Sequence, residues 1–346
     1  MKSATLIAPM QFEVRSIPDP VLPADGLILQ VKACGVCGSD LRRWKEGPLA
    51  GAEDLIAGHE IAGIVVAVGA QVSAYRLGDY LAVAPDIHCG HCYFCQRGLY
   101  NVCDDMHMLG ITPGSQGGFA EQMVLTGNTL ANGIVHRMPA GMPFQYGALA
   151  EPCSSVLATH DRIGTSLHDT VVVMGGGPIG CLHIAVAKAR GARVILSEPS
   201  PVRREMARIF RPDLILDPAT QDVVAMVREA TEGRGADSAV CANPVAASQT
   251  QAVNLVRKRG KVILFGGLPK ANPMTTFDGN RIHYGEIEVV GSFSYHPTYH
   301  ALAIESLNRG VIPADQLITH TFPIDEVNSA FQTAASGEAL KVQVIF

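Results

Sequence analysis

Residues 170–180 read TVVVMGGGPIG, an apolar run that ends in a cluster of glycines. An uninterrupted apolar run is typical of a strand that is covered on both faces of a parallel sheet. The glycines have the spacing GxGxxG, and the stretch 178–191 predicts an amphipathic helix directly after them. This order of strand, turn and helix predicts a dinucleotide-binding unit. The residues of this unit expected to bind the dinucleotide are Gly175, Gly177, Pro178, Ile179 and Gly180.

Strand-like and helical stretches alternate from Thr170 to about residue 292. Six runs predict strands: TVVVM, ARVILSE, DLILD, ADSAVCA, GKVILFGG and IEVVGSFS. Their number and alternation predict a doubly wound parallel sheet. The second strand ends at Glu198, whose carboxylate would accept hydrogen bonds from ribose hydroxyls and repel a 2′-phosphate, so NAD is favoured over NADP. Arg203 follows closely and could pack on the adenine or hold a 2′-phosphate.

The part of the chain before residue 154 predicts mostly short strands and turns, and it contains the sequence CGHCYFCQRGLYNVC at 89–103. Four thiolates can close a tetrahedral shell around zinc, and a closed shell leaves no position for a substrate. We therefore expect a structural zinc here, with disulfides or free thiols as the alternative. The expected ligands are Cys89, Cys92, Cys95 and Cys103.

A second set of metal-binding residue types is spread along the same part of the chain. Cys37 lies in CGVCGSD, His59 and Glu60 lie in AGHE, and Glu151 lies in EPCS. Three protein ligands with water in the fourth position make a catalytic zinc site. Each residue alone is a weak indication, since a single histidine is more often structural. The combination predicts an open metal site that is separate from the four cysteines.

Composition excludes several classes of function. The chain of 346 residues has a formal charge of -5 and a pI of about 6.2, without a basic run, so we expect no nucleic-acid partner. Neither a signal peptide nor an apolar run long enough for a membrane span is apparent. Nine cysteines without a secretion signal indicate a reducing compartment, and we expect a cytoplasmic protein.

The ordered motifs GVCGSD, GHE, the four-cysteine segment, GGFAE, EP and GGGPIG resemble the zinc-dependent medium-chain alcohol dehydrogenases. The EP pair at 151–152 resembles the branch with sorbitol, threonine and sugar-phosphate dehydrogenases. The resemblance implies a mostly-β, GroES-like catalytic domain and a six-stranded Rossmann domain. The expected boundaries are 1–153 for the catalytic domain, 86–104 for its zinc lobe, 154–292 for the NAD-binding domain and 293–346 for a return to the catalytic domain.

The resemblance also implies roles for single residues. Cys37, His59 and Glu60 would bind the catalytic zinc, and Glu60 would join or leave the metal during turnover. Glu151 would bind the zinc or hold its water. Asp40 would orient His59, and Ser39 would take the substrate proton. Arg42 stands where many relatives have a relay histidine and cannot carry a proton near pH 7. The relay would then run through ribose and water or another group, and Arg42 would hold an anionic substrate or the cofactor, or be a solvated surface residue. Cys153 is a rival ligand whose position favours packing.

The function that the resemblance implies is oxidation of a secondary alcohol to a ketone by NAD, with two Zn²⁺ ions per chain. The implied substrate is a polyol, a cyclitol or a sugar derivative. One alternative is an amino-alcohol dehydrogenase of the threonine type. An alternative from another class is a non-catalytic sensor that binds zinc and NAD, against which the intact metal-ligand set argues. The family also implies a homodimer or homotetramer, and the apolar edge IEVVGSF is compatible with one.

Overall fold

The computed structural model describes all 346 residues and places them in two units. The first, here called the discontinuous unit, contains Met1–Ser154 and Ser294–Phe346. The second, here called the central unit, contains Ser155–Phe293. None of the α-helices combines the length and the apolarity that a bilayer crossing requires.

The first segment of the discontinuous unit is mainly β-structure. Its elements are β1 (Lys2–Ala8), β2 (Gln11–Ser16), β3 (Leu27–Gly35), α1 (Gly38–Glu46), β4 (Glu60–Val68), β5 (Tyr80–Ile87), β6 (His107–Met108), β7 (Gln122–Leu125), α2 (Gly127–Asn132), β8 (Gly133–Arg137), α3 (Phe144–Ala148) and α4 (Ala150–Ile163), which contains the unit boundary.

The central unit alternates strands and helices. Its elements are β9 (Thr170–Met174), α5 (Pro178–Ala189), β10 (Arg193–Ser197), α6 (Pro201–Ala207), β11 (Leu214–Leu216), α7 (Val223–Ala230), β12 (Ala236–Cys241), α8 (Ala246–Leu255), β13 (Val256–Leu264), α9 (Gly279–Gly285) and β14 (Glu288–Gly291). All six strands are parallel, in the order β11-β10-β9-β12-β13-β14. The prediction of a six-stranded, doubly wound sheet is confirmed.

The last segment of the chain returns to the discontinuous unit. Its elements are α10 (Pro297–Asn308), α11 (Ala314–Leu317), β15 (Ile318–Pro323), α12 (Val327–Ser336) and β16 (Lys341–Ile345). Strand β16 pairs antiparallel with β3, and the main path of the sheet is β15-β16-β3-β4-β5-β6, while β7 also pairs with β3 and β8 with β5. The final strand is therefore a neighbour of the strand that leads to Cys37.

Aromatic side chains fill the core of the discontinuous unit. Phe331 of α12 lies 4.6 Å from Phe12, 5.9 Å from Trp44 and 5.6 Å from Phe119, measured between ring centroids. Trp44 and Phe119 are fully buried. The two segments of the unit therefore share one core, and burial of these large apolar surfaces stabilises their association.

Candidate metal centre and cofactor site

Three of the predicted zinc ligands come together where the interior strand β3 ends and its neighbour β4 begins. Cys37 follows β3, and His59 and Glu60 stand where β4 begins. The possible ligand atoms of these three residues all lie within 4.8 Å of one another. A thiolate, an imidazole and a carboxylate are the ligand types that zinc prefers. The donor set therefore fits a zinc ion and leaves a fourth position for water or substrate.

The first turn of α1 holds this site in shape. Cys37 is the N-cap of the helix, and its backbone N–H donates to Asp40 Oδ2 at 3.0 Å. The other oxygen, Asp40 Oδ1, lies 3.4 Å from His59 Nδ1. Ser39 Oγ lies 3.5 Å from His59 Nε2. The Nε2 side of the His59 ring therefore faces Ser39, and the Asp40 carboxylate lies beside Nδ1. A carboxylate in this position is typical of proteins in which it orients a metal-binding histidine.

Charged neighbours compensate for the burial of His59. Burial lowers the pKa of this imidazole, but the charges of Asp40 and Cys37 oppose that effect and raise its pKa well above the usual value. A bound metal requires the neutral ring, so metal binding would displace the proton that these acidic neighbours favour.

Glu60 is paired with a buried lysine from the other end of the chain. Lys341 Nζ lies 2.5 Å from a Glu60 carboxylate oxygen and also donates to the Val36 carbonyl at 3.1 Å. Lys341 is the only lysine or arginine in the chain that is buried. Its pKa is raised, because the Glu60 charge and other acidic neighbours outweigh the lowering effect of burial. The lysine therefore fixes the carboxylate beside Cys37 and His59.

Glu151 belongs to the same neighbourhood, but it is not part of the group whose ligand atoms lie within 4.8 Å of one another. The surrounding protein raises its pKa to about 8, chiefly through burial, while the His59 charge opposes this shift. Cys153, the rival ligand, is fully buried, and burial raises the pKa of its thiol to about 12. A thiol in such a place packs as a small apolar side chain.

The four cysteines of the predicted lobe converge on one point. Their ligand atoms also lie within 4.8 Å of one another, and the Sγ–Sγ distances are 3.9 Å for Cys89–Cys95 and for Cys92–Cys103. Ligands about 2.3 Å from a tetrahedral zinc lie about 3.8 Å apart, whereas a disulfide requires about 2 Å. All nine cysteines are free. Four cysteine thiols with these Sγ–Sγ distances fit a closed shell of zinc ligands and do not fit disulfides.

The glycine loop lies between β9 and α5 of the central unit. A Cβ on Gly180 would lie 1.8 Å from the Gly175 carbonyl oxygen, so only glycine fits this close approach. A Cβ on Gly177, in contrast, would meet only the Arg203 guanidinium, at 3.9 Å. The loop therefore leaves open space at the beginning of α5, where free backbone N–H groups can bind phosphate oxygens.

Glu198 stands beside this loop at the end of β10. Its Oε2 accepts a hydrogen bond from the Gly176 N–H at 2.6 Å, and its Oε1 accepts one from the Ser200 N–H at 2.8 Å. Arg204 is held by the carbonyls of Glu198 and Pro199 and by an ion pair with Asp217 at 3.1 Å. Arg203 alone of the two arginines lies near the open space at Gly177.

Two segments of the chain, one with the candidate metal sites and one with the glycine loop, match known protein families. Residues 23–136 match the alcohol dehydrogenase GroES-like domain, and residues 178–309 match the zinc-binding dehydrogenase family. The sorbitol dehydrogenase of Bacillus subtilis (strain 168) is 31% identical over 352 residues, which cover 99% of this chain and 97% of that protein. The chain belongs to the zinc-dependent medium-chain alcohol dehydrogenase superfamily.

Other members of the superfamily show the range of the resemblance. The L-threonine 3-dehydrogenase of Pyrococcus horikoshii is 33% identical over 91% of this chain and 90% of that protein. The crystal structure of a zinc-binding dehydrogenase from Sinorhizobium meliloti 1021, bound to NADP, superposes with a TM-score of 0.90 at 29% identity and covers 100% of this chain and 99% of that one. A medium-chain dehydrogenase of this kind is an oxidoreductase that uses zinc and a nicotinamide cofactor.

Two buried residues of this dehydrogenase were missed by the sequence analysis. Lys341 is the one charged residue in the largely apolar ending ALKVQVIF, and Asp86 is a carboxyl group within the buried end of β5. A charged residue within an apolar strand needs a partner, so the pattern itself was the available signal. The partner of Lys341 is 281 residues away in sequence, and no local pattern identifies it.

Proposed function

We propose that the chain catalyses the reversible oxidation of a secondary alcohol, of the polyol, cyclitol or sugar-derivative class, to a ketone. The observation that carries this proposal is the cluster of Cys37, His59 and Glu60, which offers a metal three ligands and one open position. A closed four-thiolate shell in the same unit has no such position, so the two metal sites would have different roles.

Cys37, His59 and Glu60 would hold the catalytic zinc, and Glu151 would bind it directly or through water. Zinc at this position supplies Lewis-acid stabilisation of negative charge on a substrate oxygen. Ser39 would take the proton of the substrate hydroxyl, since its Oγ lies on the Nε2 side of the His59 ring. Asp40 would keep that ring in one orientation, and Lys341 would keep Glu60 in place.

NAD is the proposed hydride acceptor, bound at the glycine loop of the central unit. The buried Glu198 carboxylate beside the loop supports NAD, because it would repel a 2′-phosphate. The contact residues would be Gly175, Gly177, Pro178, Ile179, Gly180, Glu198 and Arg203. NADP is the second candidate, and the Arg203 guanidinium near Gly177 is the observation in its favour.

A substrate panel tests the reaction. Purified zinc-loaded protein would be incubated with polyols, cyclitols, sugar phosphates and threonine, with NAD and NADP in parallel, and reduced nicotinamide would be followed by absorbance. We expect turnover of one polyol class with NAD. Cys37→Ser should abolish turnover and lower the bound zinc from two ions to one. Turnover of threonine alone would favour the threonine-type alternative, and bound zinc and NAD without any turnover would favour the sensor.

Three further features belong to the proposal. Residues 1–153 and 293–346 would form the catalytic domain, with the lobe at 86–104, and residues 154–292 the NAD-binding domain. The chain would form a homodimer or homotetramer in the cytoplasm. Strand β14 supports association, because it is an edge of the parallel sheet and leaves one side of its backbone unpaired. Light scattering at several concentrations measures the mass of the assembly.

A further inference from the structure

Asp86 is a buried carboxylate of the discontinuous unit to which the proposed mechanism gives no role. It is 7% exposed and stands near the end of β5. Its Oδ2 accepts a hydrogen bond from Ser294 Oγ. A buried carboxylate has four acceptor positions, and this single hydroxyl fills one of them.

The sheet brings Asp86 to the metal donors. Strands β4 and β5 are antiparallel, with Ile61 opposite Val83. The residues that follow Val83 therefore run toward the end of β4 at which His59 and Glu60 stand. The charges agree with this register: burial raises the pKa of Asp86 while the His59 charge opposes that shift, and Asp86 adds to the pKa of Glu151, which burial chiefly raises.

Ser294 is held in an unusual conformation beside this carboxylate. Its φ is 49°, in the left-handed region that non-glycine residues rarely adopt. Strained residues of this kind persist where the surrounding structure enforces them, and they concentrate at binding sites. Its hydroxyl is the one that donates to Asp86. The next residue, Tyr295, is 2% exposed, and its hydroxyl is buried without a hydrogen-bond partner.

Three carboxyl groups act on Tyr295. Burial raises the pKa of its hydroxyl well above the usual value, and the charges of Glu151, Asp86 and Glu60 add to that shift. The one buried lysine or arginine of the chain, Lys341, is already engaged by Glu60 and the Val36 carbonyl. A phosphate or carboxylate next to the reacting carbon has no proton to donate to the Asp86 carboxylate, whereas an uncharged hydroxyl would donate a hydrogen bond to it.

We propose that Asp86 is a specificity-determining residue that accepts a hydrogen bond from a hydroxyl on the carbon next to the reacting carbinol. The preferred substrates are then uncharged vicinal diols and polyols, rather than monoalcohols, hydroxy acids or sugar phosphates. This inference rests on the proposed alcohol oxidation, and it names the substrate class of that same site. Ser294 positions the carboxylate, and Asp86 contacts the substrate.

Four compounds with one three-carbon skeleton test the inference. Propan-2-ol, propane-1,2-diol, lactate and 1-aminopropan-2-ol differ only in the group next to the carbinol. For the unchanged protein we expect kcat/KM to be at least about tenfold higher for the diol than for propan-2-ol, because a hydrogen bond to a charged acceptor contributes that much. Lactate should be the poorest substrate. A higher kcat/KM for the amine than for the diol would overturn the assignment to polyols.

The variant Asp86→Asn keeps the size of the side chain and removes its charge. We expect it to lower the ratio of kcat/KM for diol over monoalcohol about tenfold, and Ser294→Ala to lower it less. Asp315→Asn is the matched control, because Asp315 is an exposed aspartate on α11 of the same unit and should leave the ratio unchanged. An equal loss for both alcohols in Asp86→Asn would show a structural role and overturn the proposal.

Calorimetric titration of the same compounds into zinc-loaded protein with reduced cofactor gives a readout besides turnover. The diol should bind more tightly than propan-2-ol to the unchanged protein and to Asp315→Asn, but not to Asp86→Asn. If the polyols of the panel are oxidised but the diol has no advantage in either measurement, the role of Asp86 is wrong and the alcohol oxidation stands. If no alcohol is bound or oxidised, both proposals are wrong.

Discussion

Lys341 is a single residue that holds a candidate metal ligand in place, through its buried ion pair with Glu60. Removal of one partner from a buried ion pair leaves the other charge without compensation. Lys341→Met should therefore lower the free energy of unfolding by about 3–5 kcal/mol, measured by urea denaturation of the metal-free protein. The double variant with Glu60→Gln should recover much of this loss. Lys45→Met, at an exposed lysine of the same unit, is the control. Equal stability of the two lysine variants would contradict the pairing.

Gly180 gives a second prediction for a single residue. A methyl group at this position would lie 1.8 Å from the Gly175 carbonyl oxygen, so the loop has to move. Gly180→Ala should weaken binding of the reduced cofactor at least about tenfold, measured by fluorescence titration. Gly279→Ala is the control, because a Cβ there meets nothing within 4 Å. Unchanged affinity in Gly180→Ala would argue against nucleotide binding at this loop.

Residues differ in how well sequence reveals their part in a site. The close approach of Gly180 to Gly175 could be anticipated, because both lie in one local motif of strand, turn and helix. The contacts of Lys341 and Asp86 could not, because their partners are 281 and 208 residues away and only the completed sheet brings them together. For Glu198 the position beside the loop was predictable, whereas its bonds to two backbone N–H groups depend on the folded turn.

At the scale of elements, a buried pair of histidines joins helices α4 and α5. His183 Nδ1 lies 3.1 Å from His160 Nε2, and His160 Nδ1 lies 2.9 Å from Thr165 Oγ1. Both histidines are fully buried. Burial lowers the pKa of His160 to about 3 and that of His183 well below its usual value. Both rings are therefore neutral in the folded protein.

This pair predicts the loss of stability in acid. Below about pH 6.5 the unfolded chain binds protons at these histidines and the folded chain does not, so the stability falls as the pH falls. Each histidine contributes about 1.4 kcal/mol per pH unit. His183→Leu should therefore reduce the slope by about that amount, measured by urea unfolding from about pH 6.5 to about pH 4.5. The exposed His283→Gln should leave it unchanged, and an unaltered slope in His183→Leu would refute the explanation.

Elements whose pattern is local were predictable from sequence. The apolar run of β9 is buried at all five positions, as a central parallel strand requires. The strands β6 and β7 are only two and four residues long, so their sequences show little periodic pattern. Their positions depend on the longer strands with which they pair, β5 for β6 and β3 for β7. The histidine pair was also not visible, since nothing local distinguishes His160 and His183 from exposed histidines.

For the whole molecule, the placement of both candidate metal sites in the discontinuous unit predicts where metal removal acts. A chelator should increase amide hydrogen exchange in the lobe at 86–104 and around residues 37–60. Exchange in β9 to β14 should stay the same, because the central unit contributes no residue to either cluster. Native mass spectrometry should find two zinc ions, and one after either Cys37→Ser or Cys92→Ser. Equal deprotection of β9 to β14 would contradict this division.

The pairing of β16 with β3 has a consequence for biosynthesis. The Cys89–Cys103 lobe is complete within 15 consecutive residues, so a nascent chain can capture its zinc while translation continues. The pair of Glu60 and Lys341 forms later, because its two residues are 281 positions apart and β16 follows the other elements of the discontinuous unit. Until then β3 lacks one neighbour and Glu60 lacks its cation. A chain that stops before β16 would therefore contain the complete four-cysteine cluster but lack the cation beside Glu60 and one neighbour of β3.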